Sequence, residues 1–481
     1  PAAPAALSEL VEHSLVQVTH TDRGARYRML ETLRERARAD LAERGATAPV
    51  QERHAAWAAQ LADAVGAAVR GTDQALWLDR AEADHANLLA ALETWHAGHP
   101  SPGRDAEDLG LRIATGLAWF WEVRGHVTIG RDHLDRLLAR PGTDPLLRAR
   151  ALEALGDIAI AQADYDTAWR ALTASIALFT QCGDTRGAAR SASTAAGWKA
   201  FAGDLDGAVT QAQSVLACAA AMDDARRPAL FALALARWSQ DRVQESRELF
   251  DQCLASMPAG VDAWQCGRLM AFVGLTALAD GDDERAFRVL REGALLFTTV
   301  GDYYGQADCL YGLACHWGRY GDHQRVLQAV TVARRLWTRS GAARHSYFEW
   351  LAGPAEADAR TALGVTVAER VTAAAEQLSV ADLLDAPIAL DTAAALDTPA
   401  AAAVPTSVDG PPPLTSREEQ VAALVAAGMT NGQIGRRLGI SARTAERHVE
   451  NLRGKLGVAN RAQVAAWVAR AEVPTAPAPP R

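Results

Sequence analysis

Arg443, Glu446, Arg447 and Glu450 lie on one side of the stretch Ala442 to Leu456, and Ala445, Val449, Leu452 and Leu456 lie on the other. Apolar residues at that spacing share one face of a helix, which turns the four charges together toward solvent. A helix that only packs on a core has no use for such a face. A helix that enters the major groove needs it, because base edges present both donors and acceptors. Arg447 suits bidentate donation to guanine, and Glu446 or Glu450 suits acceptance from a cytosine amine.

Such a helix reads bases only if its neighbours hold it at a steep angle, and the flanking sequence supplies the means. Between Leu414 and Val468 four short helices are each announced by a cap: Thr415 with Glu418, Thr430 with Gln433, Asn460 with Gln463, and Ser441 before the charged helix. The paired side chains satisfy free backbone amides at a helix start. In Leu438-Gly439-Ile440-Ser441 the glycine permits the left-handed turn and the serine caps the next helix. Two helices set this way form a helix-turn-helix.

With these pieces in place the stretch resembles the LuxR-type (GerE or NarL-like) helix-turn-helix. The matching residues are Leu414-Thr415-Ser416-Arg417-Glu418, Gly428-Met429-Thr430-Asn431, Leu438-Gly439-Ile440-Ser441, Thr444, Arg447-His448-Val449, Asn451-Leu452 and Lys455-Leu456-Gly457. The resemblance implies a transcription regulator that binds double-stranded DNA as a homodimer, paired through a fourth helix around Val464, Trp467 and Val468. It implies base contacts from Arg443, Glu446, Arg447 and Glu450, and phosphate contacts from Thr430, Thr444, Asn451 and Lys455. Gly432, Gly435 and Gly454 depart from the pattern, each interior glycine costing about 1 kcal/mol against alanine. Ala445 stands where valine is usual and fills less of the core.

Composition separates this head from the remainder of the chain. The 481 residues carry a net charge of −9. From Leu414 to Arg470, however, nine Arg or Lys oppose four Glu, a balance of +5 that leaves −14 elsewhere. A basic appendage on an acidic body confines phosphate binding to one end. The chain has two lysines, Lys199 and Lys455, and neither belongs to a GxxxxGK[ST] loop, so no phosphate-binding loop is present. No run reaches membrane-spanning length, and the start PAAPAALSEL has no secretory pattern, so a cytoplasmic location is expected. The six cysteines show no CxxC pairing and read as small core residues.

Residues 1–48 suggest a hairpin, with Leu15 to Val18 and Arg26 to Met29 around a turn at Asp22-Arg23-Gly24, then a helix with Leu30, Leu33, Ala37 and Leu41 on one side. Ser8 to Val11, Ser14 to Val16, Arg26 to Glu35 and His54 to Trp57 resemble the end of the winged-helix unit in large signal-transduction ATPases with LuxR-type tails. On that resemblance the chain, which lacks an initiator methionine, is expected to begin partway through a longer protein.

Residues 49–341 read as helix after helix with an internal repeat. Ala163-Asp164, Gly203-Asp204, Gln240-Asp241, Gly281-Asp282 and Gly321-Asp322 place aspartates 40, 37, 41 and 40 residues apart. Each pair closes the first helix of a repeat, and the small residues Ala168, Ala208 and Ala286 follow four positions on. Gly183-Asp184 and Gly301-Asp302 mark the partner helices, and Gly125 marks an earlier, less regular unit. The period implies stacked helix pairs, and the stretch resembles the tetratricopeptide-like solenoid of the same regulators. Most of its tryptophans are assigned to the core, as are His316, Cys315 and Cys309, so no metal or cofactor is expected. Residues 342–390 read as a solenoid cap with Tyr347, Phe348 and Trp350, residues 391–413 as an Ala/Pro linker, 414–470 as the head and 471–481 as a tail.

The fold expected is thus all-α, a tetratricopeptide-like helical solenoid with a C-terminal four-helix head and a small N-terminal winged-helix remnant. The leading functional reading is a non-enzymatic transcription regulator whose body senses an unidentified protein or small-molecule signal, with no membrane partner. The alternatives are a protein-interaction scaffold with a weakened head, or the output half of an ATPase whose nucleotide-binding domain lies elsewhere.

Overall fold

The computed structural model describes residues 2–385 except 22–23, 69–70, 97–103, 141–143, 219–221, 241, 258–261 and 342–346, together with residues 414, 416–426, 437–438, 448–449, 451–452 and 455. The chain opens with helix α1 (Ala2–Glu12), strands β1 (Val16–Thr21) and β2 (Gly24–Met29), and helix α2 (Glu31–Glu43). The strands pair antiparallel from Val16 opposite Met29 to Thr21 opposite Gly24, which is the hairpin read from the sequence. On α2, Leu33, Ala37 and Leu41 share one half-buried side, yet no α2 residue is fully buried.

The body follows as α3 (Thr47–Ala67), α4 (Gln74–His96), α5 (Arg104–Val123), α6 (Val127–Leu138), α7 (Pro145–Ala161), α8 (Tyr165–Gln181), α9 (Thr185–Ala202) and α10 (Leu205–Cys218). It continues as α11 (Asp223–Ser239), α12 (Val243–Ala255), α13 (Ala263–Asp280), α14 (Asp283–Val300), α15 (Tyr303–Arg319) and α16 (His323–Ser340). Helices α17 (Tyr347–Leu363), α18 (Val365–Ala375) and α19 (Val380–Asp385) complete it, and α20 (Ser416–Ala426) begins the head. Arg26 of the hairpin reaches Asp84 on α4 at 2.8 Å and fastens the N-terminal unit to the body. Among the described residues no helix is long and apolar enough to cross a membrane.

The junctions between helices explain the repeat. The carboxylates of Asp144, Asp164, Asp184 and Asp204 each accept the amide three residues ahead, at 2.8 to 3.2 Å. Those of Asp262, Asp282, Asp302 and Asp322 do the same at 2.9 to 3.3 Å. Within each set the caps stand twenty residues apart, so every helix, not every second one, starts on an aspartate. Most are preceded by a glycine at positive φ, and Ala163 takes that conformation at φ 56° without being glycine. The exceptions are α11 and α12, which begin after Met222 and Arg242 with no side-chain cap; Asp241 lies outside the described residues. Ala168, Ala208 and Ala286 are fully buried where the helices approach.

Successive helix pairs do not merely stack; the body closes on itself. One hydrophobic core joins Leu78, Leu92 and Phe120 near its start to Leu290, Tyr311 and Leu336 near its end. Gln74 donates to Asp262 at 2.8 Å and accepts from the Trp264 amide. Arg124 donates to the Val300 carbonyl at 3.0 Å and pairs with Asp79 at 2.6 Å. Gly125, at φ 80°, meets the end of α16 so closely that a Cβ there would stand 2.7 Å from the Arg339 carbonyl oxygen.

Trp119, Trp121, Trp317 and Trp337 are buried, and Trp57, Trp77, Trp238 and Trp264 pack partly buried against the core, in line with the core role expected of most tryptophans. Trp169 is exposed instead, at 39%, and stacks on Trp198 with centroids 5.2 Å apart. Likewise Cys182 and Cys218 are exposed at helix ends, whereas Cys253 and Cys309 are buried. Phe348 is buried against Phe272, which is the capping role expected of it.

The closure has a direct test. Gly183, at φ 74°, has no atom within 4 Å of the position a Cβ would take, so Gly183→Ala reports backbone strain alone, about 1–2 kcal/mol for a left-handed residue. Gly125→Ala adds the clash with α16. It is expected to lower the urea midpoint distinctly further than Gly183→Ala and to speed amide exchange at both 124–127 and 338–341.

Candidate functional site

In the head, α20 buries Val421, Ala422 and Val425, and Val449 and Leu452 are buried with them. The last two are the apolar side that the sequence assigns to the charged helix. Arg417 reaches across to the Leu438 carbonyl at 2.9 Å. That carbonyl precedes the glycine of the turn, where helix-end oxygens lack intrahelical donors. Lys455 donates to the buried Glu418 carboxylate at 2.7 Å. Two charged contacts therefore tie the first helix to the segments at 438 and 455.

Asn451 is exposed. The Lys455 ammonium is engaged with Glu418 and keeps about a third of its side chain in solvent, 34%. Arg443, Glu446, Arg447, Glu450, Thr430 and Thr444 lie outside the described residues, as do Val464, Trp467 and Val468.

A second constellation, which no sequence pattern reveals, lies on the inner face of the closed body. Glu122 on α5, Asp157 on α7 and Arg268 on α13 act on one another electrostatically although 146 residue numbers separate the first from the last. Glu122 and Asp157 are half-buried and Arg268 is exposed on this inner face, the lumen of the body. The Arg268 guanidinium lies 5.0 Å from the Trp264 ring and 5.3 Å from the Phe231 ring. Trp264 meets Trp119 edge to face at 6.2 Å and donates its indole N–H to Asp302 at 2.7 Å. Nearby, Arg190 and Ser191 bond Glu153 at 2.5 and 3.0 Å and Ser191 meets Ser175 at 3.1 Å, stitching α7, α8 and α9 together.

Enclosure raises the acids of this lumen. Glu122 is pushed up to about 7 by burial, with Arg268 opposing and Asp302 adding to the shift. Burial, with Glu122 and Glu153 as neighbours, holds Asp157 well above the usual carboxylate range. Asp302 is pushed up to about 6 by burial, against the hydrogen bonds from Gly305 and Trp264.

Glu82, His85 and His126 form a further polar group whose ligand atoms lie within 4.8 Å of one another. The Trp121 indole donates to His85 Nε2 at 3.2 Å, and His126 meets Glu82 at 3.2 Å. The first bond occupies a lone pair that a metal would need. Burial, then the neighbouring His126, lowers His85 to about 4, so it is neutral at ordinary pH. Both sites escape sequence reading because their members come from helices far apart in the chain.

Residues 412–468 match the model of the bacterial regulatory proteins, luxR family. The probable transcriptional regulatory protein SgaR of Hyphomicrobium methylovorum is 51% identical over 53 residues, 11% of this chain and 25% of that protein. The transcriptional regulatory protein MctR of Rhizobium johnstonii is 46% identical over 50 residues, 10% of this chain and 23% of that protein. The chain thus spans about a quarter of the length of the curated relatives it matches. Among solved structures, a Rap protein complexed with competence and sporulation factor is 12% identical, with a TM-score of 0.49 over 84% of this chain and all of that one. The Rap conjugation gene regulator of plasmid pLS20 is 11% identical, with a TM-score of 0.40 over 64% of this chain and 98% of that one.

The raised lumen acids make stability depend on pH in a defined direction. Their folded pKa values exceed the unfolded ones, so the native state holds protons that the unfolded chain releases, and stability falls as pH rises from about 4.5 through about 7. Glu122→Gln removes one such acid. It is expected to raise the thermal midpoint by a few degrees at pH 8 and to leave it unchanged near pH 4.5, as read by circular dichroism melts.

Proposed function

We propose that the chain is a DNA-binding transcription regulator in which the head reads a promoter major groove as a dimer and the closed helical body receives a protein or small-molecule signal. The observation that carries this reading is the luxR-family match at residues 412–468, supported by the burial of Val449 and Leu452, the apolar side that the sequence assigns to the charged helix. On that side Arg443, Glu446, Arg447 and Glu450 are assigned to base edges. Thr430, Thr444, Asn451 and Lys455 are assigned to phosphates, and Val464, Trp467 and Val468 to the dimer contact. The +5 balance of the head against the acidic body directs the phosphate backbone to this end.

Lys455 has two tasks in this reading. Its ammonium neutralises Glu418 inside the head and offers its remaining donors to phosphate. Replacing it affects folding as well as binding, and a double variant separates the two.

The full chain is expected to bind duplex DNA with an affinity that falls steeply with salt. Arg447→Ala relaxes the preference among base sequences, with a cost of about 1–3 kcal/mol at the best site. Lys455→Ala weakens all sequences alike and lowers the salt slope by about one, and adding Glu418→Gln restores head stability without restoring affinity. Electrophoretic mobility shifts across a salt series check all three. Salt-insensitive binding, or no binding by a folded dimer, would refute the reading.

A further inference from the structure

The first helix pair of the body presents an apolar end. Ala62 and Gly66 of α3 lie against Gly116 of α5, where an added Cβ would stand 2.4 Å from the Ala62 carbonyl oxygen, so that side of α3 is packed on the next repeat. Trp57, Leu61 and Ala64 fall on the other side by helical spacing. Together with Gln60 and with Leu76, Trp77 and Arg80 of α4 they line a cleft of about 380 Å³. Repeat proteins ordinarily turn a polar face outward at each end. Here Leu76 is 56% exposed beside two half-buried indoles, and among the described residues nothing from the preceding hairpin unit lines the cleft. Trp57 is held in place by stacking on His54, with centroids 5.6 Å apart.

Size decides between a protein and a small molecule. A stable protein partner covers about 20–30 residues a side, whereas seven line this cleft. Its volume falls within the range of small-ligand sites, about 300–1,000 Å³. Charge then selects the kind of ligand. Arg80 is the one ionisable residue lining the cleft among the described residues, and its side chain is 54% exposed. The buried Asp84 is shared between Arg80 at 2.7 Å and Arg26 of the hairpin at 2.8 Å, so one carboxylate serves two guanidinium groups and the trio keeps a positive charge. A cation would meet that charge unopposed. An anion gains from it, and the indole and leucine walls take up an apolar body.

We infer that the cleft between α3 and α4 binds a small amphipathic monocarboxylate, its carboxylate on Arg80 and its apolar body between Trp57 and Trp77. Its regulatory meaning rests on the reading of the body as the receiving part; the binding itself does not.

The test uses the purified full chain at pH 7.5, with decanoate and 4-phenylbutyrate as the probes and calorimetry as the readout. At least one of them is expected to bind saturably in the micromolar range. Decylamine and decanol, which keep the apolar body and change the head, are expected to bind weaker than decanoate by about tenfold or more, a factor that corresponds to about 1.4 kcal/mol. Arg80→Gln brings the carboxylate down to the level of the alcohol and leaves the alcohol where it was, and Asp84 retains Arg26 as its partner in that variant. Leu76→Asp, at an exposed position, weakens both carboxylates. Val365→Asp, at a 74% exposed position on α18, keeps full affinity. Preference for decanoate over phenylbutyrate, or the reverse, identifies the apolar body as aliphatic or aromatic and supports the inference either way. Absence of saturable binding by both carboxylates, equal binding by decylamine, or binding indifferent to Arg80→Gln or to Leu76→Asp overturns it. Mobility shifts with and without the bound carboxylate separate the two readings: unchanged DNA affinity upholds the cleft and removes its regulatory meaning, and a ligand-binding chain that never binds DNA tells against the proposed function instead.

Discussion

The junction at which one helix stops and the next begins governs the rest of the body. A glycine in the left-handed conformation ends one helix, and the carboxylate of the following aspartate takes up a free amide of the next. Each cap stabilises its helix by about 1 kcal/mol. Its larger effect is metrical: caps twenty residues apart hold α7, α8, α9 and α13 to α16 at 17 or 18 residues. Helices of equal length stack in register and accumulate a constant turn, which is the geometry of a solenoid. Where the caps lapse, at Met222 and Arg242, the neighbouring α10 and α12 shrink to 14 and 13 residues. There the apolar interior also divides into smaller clusters around Val215, Leu233 and Phe250, whereas the two ends of the body share one core.

Closure converts a curved surface into an enclosure. Inner-face residues of a wide solenoid would be bathed in water, and Glu122 and Asp157 would behave as ordinary surface acids. With the first repeats docked on the last, α5, α7 and α13 face one another, and the same side chains lose much of their hydration. The folded chain therefore holds protons on these acids, and ionising them costs stability.

The periodic parts of this architecture are legible in the sequence, and the closed parts are not. Gly203-Asp204 and Gly321-Asp322 carry their conformations in their own chemistry, so the repeat shows in the order of residues alone. The hairpin at Val16 to Met29 and the buried side of the head at Val449 and Leu452 are visible for the same reason. Gln74 on Asp262 and Arg124 on the Val300 carbonyl are contacts over 188 and 176 residues, and no local pattern announces them. Without the closure Trp264 and Arg268 look like any helix residues. The aspartate caps of every second helix are only half visible, because Asp144 and Asp262 lack the preceding glycine. Lys455 shows a different limit: its phosphate role follows from motif resemblance, while its bond to Glu418 follows from packing that the motif does not encode.

Lumen and closure are built from the same short segments, and this restricts how either can change. Trp119, packed on Trp264, and Glu122 lie near the end of α5; Arg124 and Gly125, immediately after them, clasp α14 and α16. On the opposite side Asp302 accepts from Trp264 in the lumen, and its neighbour Gly301 lies against the Arg124 guanidinium. A shift of α5 that separated Glu122 from Arg268 would carry Arg124 away from the Val300 carbonyl. Conversely, loss of the Arg124 clasp would rehydrate Glu122 and Asp157 and return their acidity toward that of surface carboxylates. The two states are thermodynamically linked. Whatever favours the closed body raises the proton affinity of these acids, and their protonation favours the closed body by the same free energy.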